Sequence, residues 1–189
     1  AGYFEKAEEI VNHISNPAGR AYAYMEIAES LIKSDKRDEV ERVALKAFES
    51  LKETDNKWAK LNIVEIFCMV GKTEQARGII SSLNGSEIME ARSRCAMKLI
   101  EADKYDEVLQ LVDSLGLDRK NSVLFRMVCN QTEKGQTAEA LTTTEGISLA
   151  STKESALEQI AVALAKAGRI QDAIDIVGSF SDSLIKTQA

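Results

Sequence analysis

Cys68, Cys95, Cys129 and the single histidine, His13, are the residues of this chain whose types could support nucleophilic or metal chemistry. A cysteine nucleophile needs an adjacent base, and a zinc site needs closely spaced Cys or His pairs. The cysteines are widely separated from one another and His13 is remote from all three. HExxH, CxxC, phosphate-loop and dinucleotide patterns are absent, so the sequence offers no catalytic residue, no metal site and no cofactor, and reads as a non-enzyme. His13 is expected on a helix surface. Cys68 and Cys95 fall at positions that suit small apolar groups, whereas Cys129 is the thiol placed to react. An odd cysteine count closes no disulfide framework, so free thiols in a reducing, cytoplasmic setting are expected.

Charged residues are the next candidates. Glu8-Glu9, Asp38-Glu39 and Asp106-Glu107 are paired carboxylates, but each pair opens a predicted helix, where negative charge meets the helix dipole. Arg94 and Arg126 share one register and could grip carboxylates of a peptide, although solvated arginines are the plainer reading. A net charge of -6 and a pI near 5.0 argue against a general polyanion binder, because phosphate contacts are made largely by Lys and Arg. The start, AGYFEKAEEI, is acidic where a signal peptide would be basic and then apolar, and no apolar stretch approaches a membrane span.

The elements that must position these residues follow from a recurring turn. Gly2, Asp35, Gly71, Asp103, Gly135 and Gly168 recur at near-constant spacing, with one longer gap between Asp35 and Gly71, and each is followed five residues later by Ala or Val. Eight residues before a turn stand Ile27, Ile63, Cys95, Met127 and Ile160; twelve before it stand Ala23, Ala59, Ala91, Val123 and Ala156. Those intervals make an apolar stripe on a helix. After the turn the stripe resumes, as in Val40, Val43, Ala44 and Ala47 or Val108, Leu111, Val112 and Leu115. Each repeat is therefore helix A, a tight turn and helix B, and with 5% aromatic residues and one Pro the chain is expected to be all-α.

Asn16 with Pro17, Thr54 or Asp55, Ser86, Asp118 and Ser151 are the expected N-caps of the A helices. The three extra residues between the second and third turns should lengthen helix B around Phe48 to Lys52 by about a turn. Thr142, Thr143 and Thr144 put β-branched residues in a row, so the fifth B helix should pack most loosely. The sequons at Asn84 and Asn130 read as chance matches. Gly2 already stands at a turn and Ala189 falls one period after Ala156, so residues 1–189 read as one array with truncated repeats at both ends, whose apolar edges could associate end to end.

YDEV at Tyr105 to Val108 and AKAGRIQDA at Ala165 to Ala173 resemble the turn and second helix of tetratricopeptide repeats, whose period is about 34. The resemblance covers the whole chain at the level of its columns. It departs from the family in the place of the large aromatic of helix A, in Val at small positions and in the lack of a closing Pro. It implies an α-α superhelix, a right-handed solenoid of antiparallel helix pairs; a HEAT-like solenoid is the alternative. AKAGRIQDA is also similar to pentatricopeptide repeats, which bind single-stranded RNA, but their longer period is missing.

In the family that the chain resembles, A helices line a concave face that receives peptides or partner helices. Carried onto this sequence, that face implies Tyr22, Met25, Trp58, Leu61, Arg94, Met97, Phe125 and Arg126 as partner-binding residues. Trp58, Leu61 and Phe125 fit equally well as core between repeats. The expected function is a protein-protein interaction scaffold or adaptor. Single-stranded RNA binding and a purely structural spacer stand as alternatives, the former opposed by two arginines against five glutamates on the predicted face.

Overall fold

The computed structural model describes residues 2–52, 54 and 56–187, and the side chains of all of these but 2, 37 and 179–187. The described residues form helices and no strand: α1 (Gly2–Asn12), α2 (Pro17–Lys33), α3 (Arg37–Leu51), α4 (Lys57–Met69), α5 (Thr73–Ile80), α6 (Gly85–Glu101), α7 (Tyr105–Val112), α8 (Leu117–Glu133), α9 (Thr137–Glu145), α10 (Ala150–Lys166) and α11 (Ile170–Thr187). The protein is all-α. The even-numbered helices occupy the predicted A positions and the odd-numbered ones the B positions. No helix of the described residues is long and apolar enough to cross a membrane.

Backbone conformation explains where the A helices stop. Asp35, Gly71, Asp103, Gly135 and Gly168 take φ values of 55°, 74°, 61°, 74° and 78°, all in the left-handed region. Glycine enters it without a Cβ clash and Asp is among the few other residues that tolerate it. Past the turn, the Lys36, Lys72, Gln136 and Arg169 amides donate back to Leu31, Phe67, Gln131 and Leu164 carbonyls at 2.8 to 2.9 Å, which closes each helix and reverses the chain.

The helices gather into two compact units that divide after Ala102. In the first, α2 packs on α4 and α4 on α6, with α3 laid against α2 and α4 and α5 against α4 and α6. In the second, α8 packs on α10, α9 lies against both, α7 lies against α8 and α11 against α10. The aligned columns form the cores: Ala59, Ile63 and Phe67, then Ala91, Cys95 and Leu99 in one unit, Ala156, Ile160 and Leu164 in the other, all buried. Small residues five after the turn, Val40, Ala76, Val108 and Ala140, are fully buried and let paired helices approach.

Polar links run between successive B helices of the first unit. Glu8 on α1 receives Arg42 and Lys46 of α3 at 2.6 and 2.7 Å, and Glu41 on α3 receives Lys72 and Gln75 at 2.6 and 2.7 Å. Both glutamates stand six residues after a turn. The two cations beside Glu8 hold its carboxyl down at about 2, against the opposing effect of burial.

Several expectations need correction. Cys68 on α4 and Cys95 on α6 are joined by a disulfide, because the stacking of those helices brings two buried column positions together; they are not free thiols. The reducing compartment inferred from free thiols loses that support. Helix starts also differ: α4 is capped by Asn56, whose side chain accepts from the Ala59 amide at 3.1 Å, rather than by Thr54, while Asp55 lies outside the described residues. Asn84, Gly116 and Leu149 precede α6, α8 and α10, leaving Ser86, Asp118 and Ser151 inside the first turn. Asn16 with Pro17 opens α2 as expected, accepting from the Ala18 and Gly19 amides. His13 is exposed in the turn past α1 rather than on the helix.

The long segment before the third turn makes α3 15 residues long against eight in α5 and α7 and nine in α9, an extension of about two turns. In α9 the threonines meet their polar needs locally. The Thr142, Thr143 and Thr144 hydroxyls lie 2.6 to 3.1 Å from carbonyls one turn back, and Thr143 also reaches buried Gln131 Oε1 at 2.9 Å. Gln131 replaces the Leu or Phe of its column and Thr143 replaces Val, Ile or Leu of its own, so two polar departures satisfy each other. A cavity of about 200 Å³ opens beside them between Val112, Leu124 and Gly146.

Candidate partner-binding site

The predicted inner-face residues divide by what the next A helix does to them. Met25 on α2 and Leu61 on α4 are buried, Leu61 completely, because α4 and α6 respectively lie over them. They belong to the core, and their assignment as partner contacts is corrected. Met97 and Phe125 are half-buried. Tyr22, Trp58 and Arg126 are exposed, Trp58 at 57%.

Two of the predicted residues, Trp58 and Arg94, meet in the first unit, and Tyr22 is tied to the same helix start through Asn56. Trp58 stands at the start of α4, where the Asn56 cap fixes the first turn. The Asn56 amide nitrogen also donates to the Tyr22 hydroxyl at 3.4 Å. Arg94 crosses from α6 with its guanidinium 5.6 Å from the centre of the Trp58 ring, and the Lys57 ammonium lies 5.5 Å from that ring. Cations at this distance are attracted by the negative face of the indole. Glu65 takes the Arg94 guanidinium at 2.6 Å, Asn62 Oδ1 lies 3.4 Å from it, and Glu90 bridges at 3.6 Å to both Arg94 and Lys57.

These contacts change the expected role of Arg94. Its charge is spent on Glu65 and Glu90, so it positions the indole instead of gripping a carboxylate. Lys57 and Asn56, absent from the predicted set, complete the arrangement. In the register Glu90 is the counterpart of Trp58 one repeat on, which brings its carboxylate beside Lys57 and Arg94. The result is a large aromatic surface that is held in place and still open to solvent, the residue type and the preorganisation that binding hot spots use.

Arg126 in the same column meets a different environment. It lines an open groove of about 810 Å³ between α8 and α10 with Lys166, Arg169 and Glu133, and Cys129 forms part of its wall. Arg169 is engaged by Asp172 at 2.5 Å. Burial raises the Cys129 thiol above its ordinary range, against the lowering influence of Arg126. A thiol kept protonated is a poor nucleophile, so the exposed-thiol chemistry expected of Cys129 is not favoured.

No group of three His, Cys, Asp or Glu side chains among the described residues could hold a metal ion. No protein-family model, no curated protein and no solved structure matches this chain.

Proposed function

We propose that the protein is a non-enzymatic interaction scaffold of tetratricopeptide-like helical repeats, and that the Tyr22–Trp58 surface of its first unit holds a peptide segment or helix of a partner protein. The observation that carries this reading is Trp58, more than half exposed yet fixed between Lys57 and Arg94. A partner that covered the indole would gain its exposed apolar area, and Tyr22, exposed on α2 and bonded to Asn56, lies beside the same helix start. The ion pairs around Arg94 weigh against single-stranded RNA, since phosphates would have to displace Glu65 and Glu90.

Trp58 is the sole tryptophan, so its emission reads this surface directly. Peptides selected from a displayed library on the wild-type protein should shift Trp58 emission to the blue and shield it from acrylamide. The same peptides should lose binding to Tyr22→Ala. Selected peptides that bind without changing Trp58 emission would refute the assignment.

A further inference from the structure

A second place where chemistry is arranged lies at the start of α6. Asn84 and Gly85 form the one Asn-Gly step of the chain, and both residues are exposed. Asn84 precedes the helix with extended backbone, φ -114° and ψ 156°, and Gly85 opens the helix at φ 28°. Among the described residues no carbonyl accepts from the Gly85 amide, one of the donors that a helix leaves free in its first turn. The positive end of α6 lies at that nitrogen and eases loss of its proton. Beyond its chain neighbours and the backbone of its own helix, nothing lies within 4 Å of the place that a Gly85 Cβ would take, so the approach is open.

We propose that Asn84 is a site of spontaneous modification, converting in the folded protein to aspartate and isoaspartate with water as the only co-reactant. The deprotonated Gly85 nitrogen attacks Asn84 Cγ and forms a C–N bond. The bond to Nδ2 breaks, and ammonia leaves with the equivalent of the proton that Gly85 gave up, which yields a cyclic imide. Water opens the imide at either carbonyl, so the net change is one NH exchanged for one O. The other asparagines lack this arrangement. Asn16 precedes Pro17, which has no N–H, and Asn62, Asn121 and Asn130 lie inside helices whose amides are spent on the next turn. Asn12 precedes His13, whose amide donates to the Ile10 carbonyl at 3.1 Å, and Asn56 precedes Lys57, whose side chain crowds the step.

The two products differ in effect. Aspartate keeps an acceptor before α6 and adds negative charge at its positive end. Isoaspartate lengthens the main chain by one carbon and disturbs the contact of the Asn84 amide with Glu87 Oε2 at 3.4 Å. Arg94 and Cys95 stand more than two turns further along α6, anchored to Glu65 and Cys68, so the change stays local. The inference is therefore independent of the Tyr22–Trp58 surface.

The test incubates the intact protein in mildly alkaline buffer and follows each asparagine by peptide mapping, with isoaspartyl methyltransferase labelling to separate the two products. Asn84 should convert before any other asparagine, and faster as pH rises. Gly85→Pro removes the nucleophilic N–H and gives α6 the Asn-Pro opening that α2 already uses, so it should fold, which circular dichroism checks, and abolish the reaction. A synthetic peptide of residues 80–92 sets the rate of the unfolded segment, and the folded protein should convert within about tenfold of it, a barrier difference of ~1.4 kcal/mol. Asn84 unchanged in the protein after the peptide has converted, another asparagine reacting first, or undiminished conversion in Gly85→Pro would overturn the proposal.

Discussion

Arg42 reaches from α3 to Glu8 on α1 with both terminal nitrogens, each 2.6 Å from a different carboxylate oxygen. Two parallel charge-assisted bonds fix orientation as well as distance, and Lys46 adds a third at 2.7 Å. Glu8 is buried at 6% exposure while both cations remain partly in water, so the carboxylate carries most of the dependence on this cluster.

A pH dependence follows from that pairing. The Glu8 carboxyl falls from 4.5 to about 2 on folding, so the unfolded chain binds its proton first. Its stabilisation is complete above the unfolded value and is lost as pH falls from about 4.5 to about 2. Glu8→Gln should therefore cost up to about 3 kcal/mol at pH 7 and progressively less below pH 4.5. Denaturant titrations of both proteins at pH 7 and pH 3 test this; an undiminished difference at pH 3 would exclude the carboxylate as its source.

Gln131 and Thr143 should behave as a coupled pair. Thr143→Val alone strands the buried Gln131 amide and should cost about 1–3 kcal/mol. Gln131→Leu with Thr143→Val restores the residue types of the two columns and should return stability to within about 1 kcal/mol of wild type. Additive losses in a double-mutant cycle would show that the 2.9 Å contact is energetically idle.

The Cys68–Cys95 bond closes a 27-residue separation between α4 and α6. Without reductant, the intact mass should be lower by two hydrogens and peptide mapping should recover the crosslinked pair. Cys68→Ala with Cys95→Ala should lower stability by about 3.5 kcal/mol in the chain-entropy account. Full labelling of three thiols in the native, unreduced protein would contradict the pairing.

Leu61 and Trp58 give opposite expectations three residues apart. Leu61→Ala should cost about 2–5 kcal/mol through a cavity beneath α6, with partner binding lost only as the fold is lost. Trp58→Ala should change stability by about 1 kcal/mol or less, consistent with its solvent exposure. Thermal melts of the two variants distinguish core from surface, and equal losses would place Trp58 in the core.

Much of this architecture was legible without coordinates. The recurring Gly or Asp located five left-handed turns, the intervals of four and eight residues located the buried stripes, and the extra residues before the third turn located the longer α3. Those features depend on neighbours a few residues away along the chain. Tertiary structure decided what local periodicity cannot reach, because the fate of an A-helix side chain depends on a helix about one repeat away. α4 and α6 buried Met25 and Leu61, and their stacking joined Cys68 to Cys95. Glu65 and Glu90 turned Arg94 from a ligand grip into a support for Trp58, while Arg126 in the same column stayed open to its groove. The difference is physical: periodicity records which face of a helix is apolar, whereas burial, charge pairing and disulfide contact are settled by which side chains the neighbouring helix brings to that face.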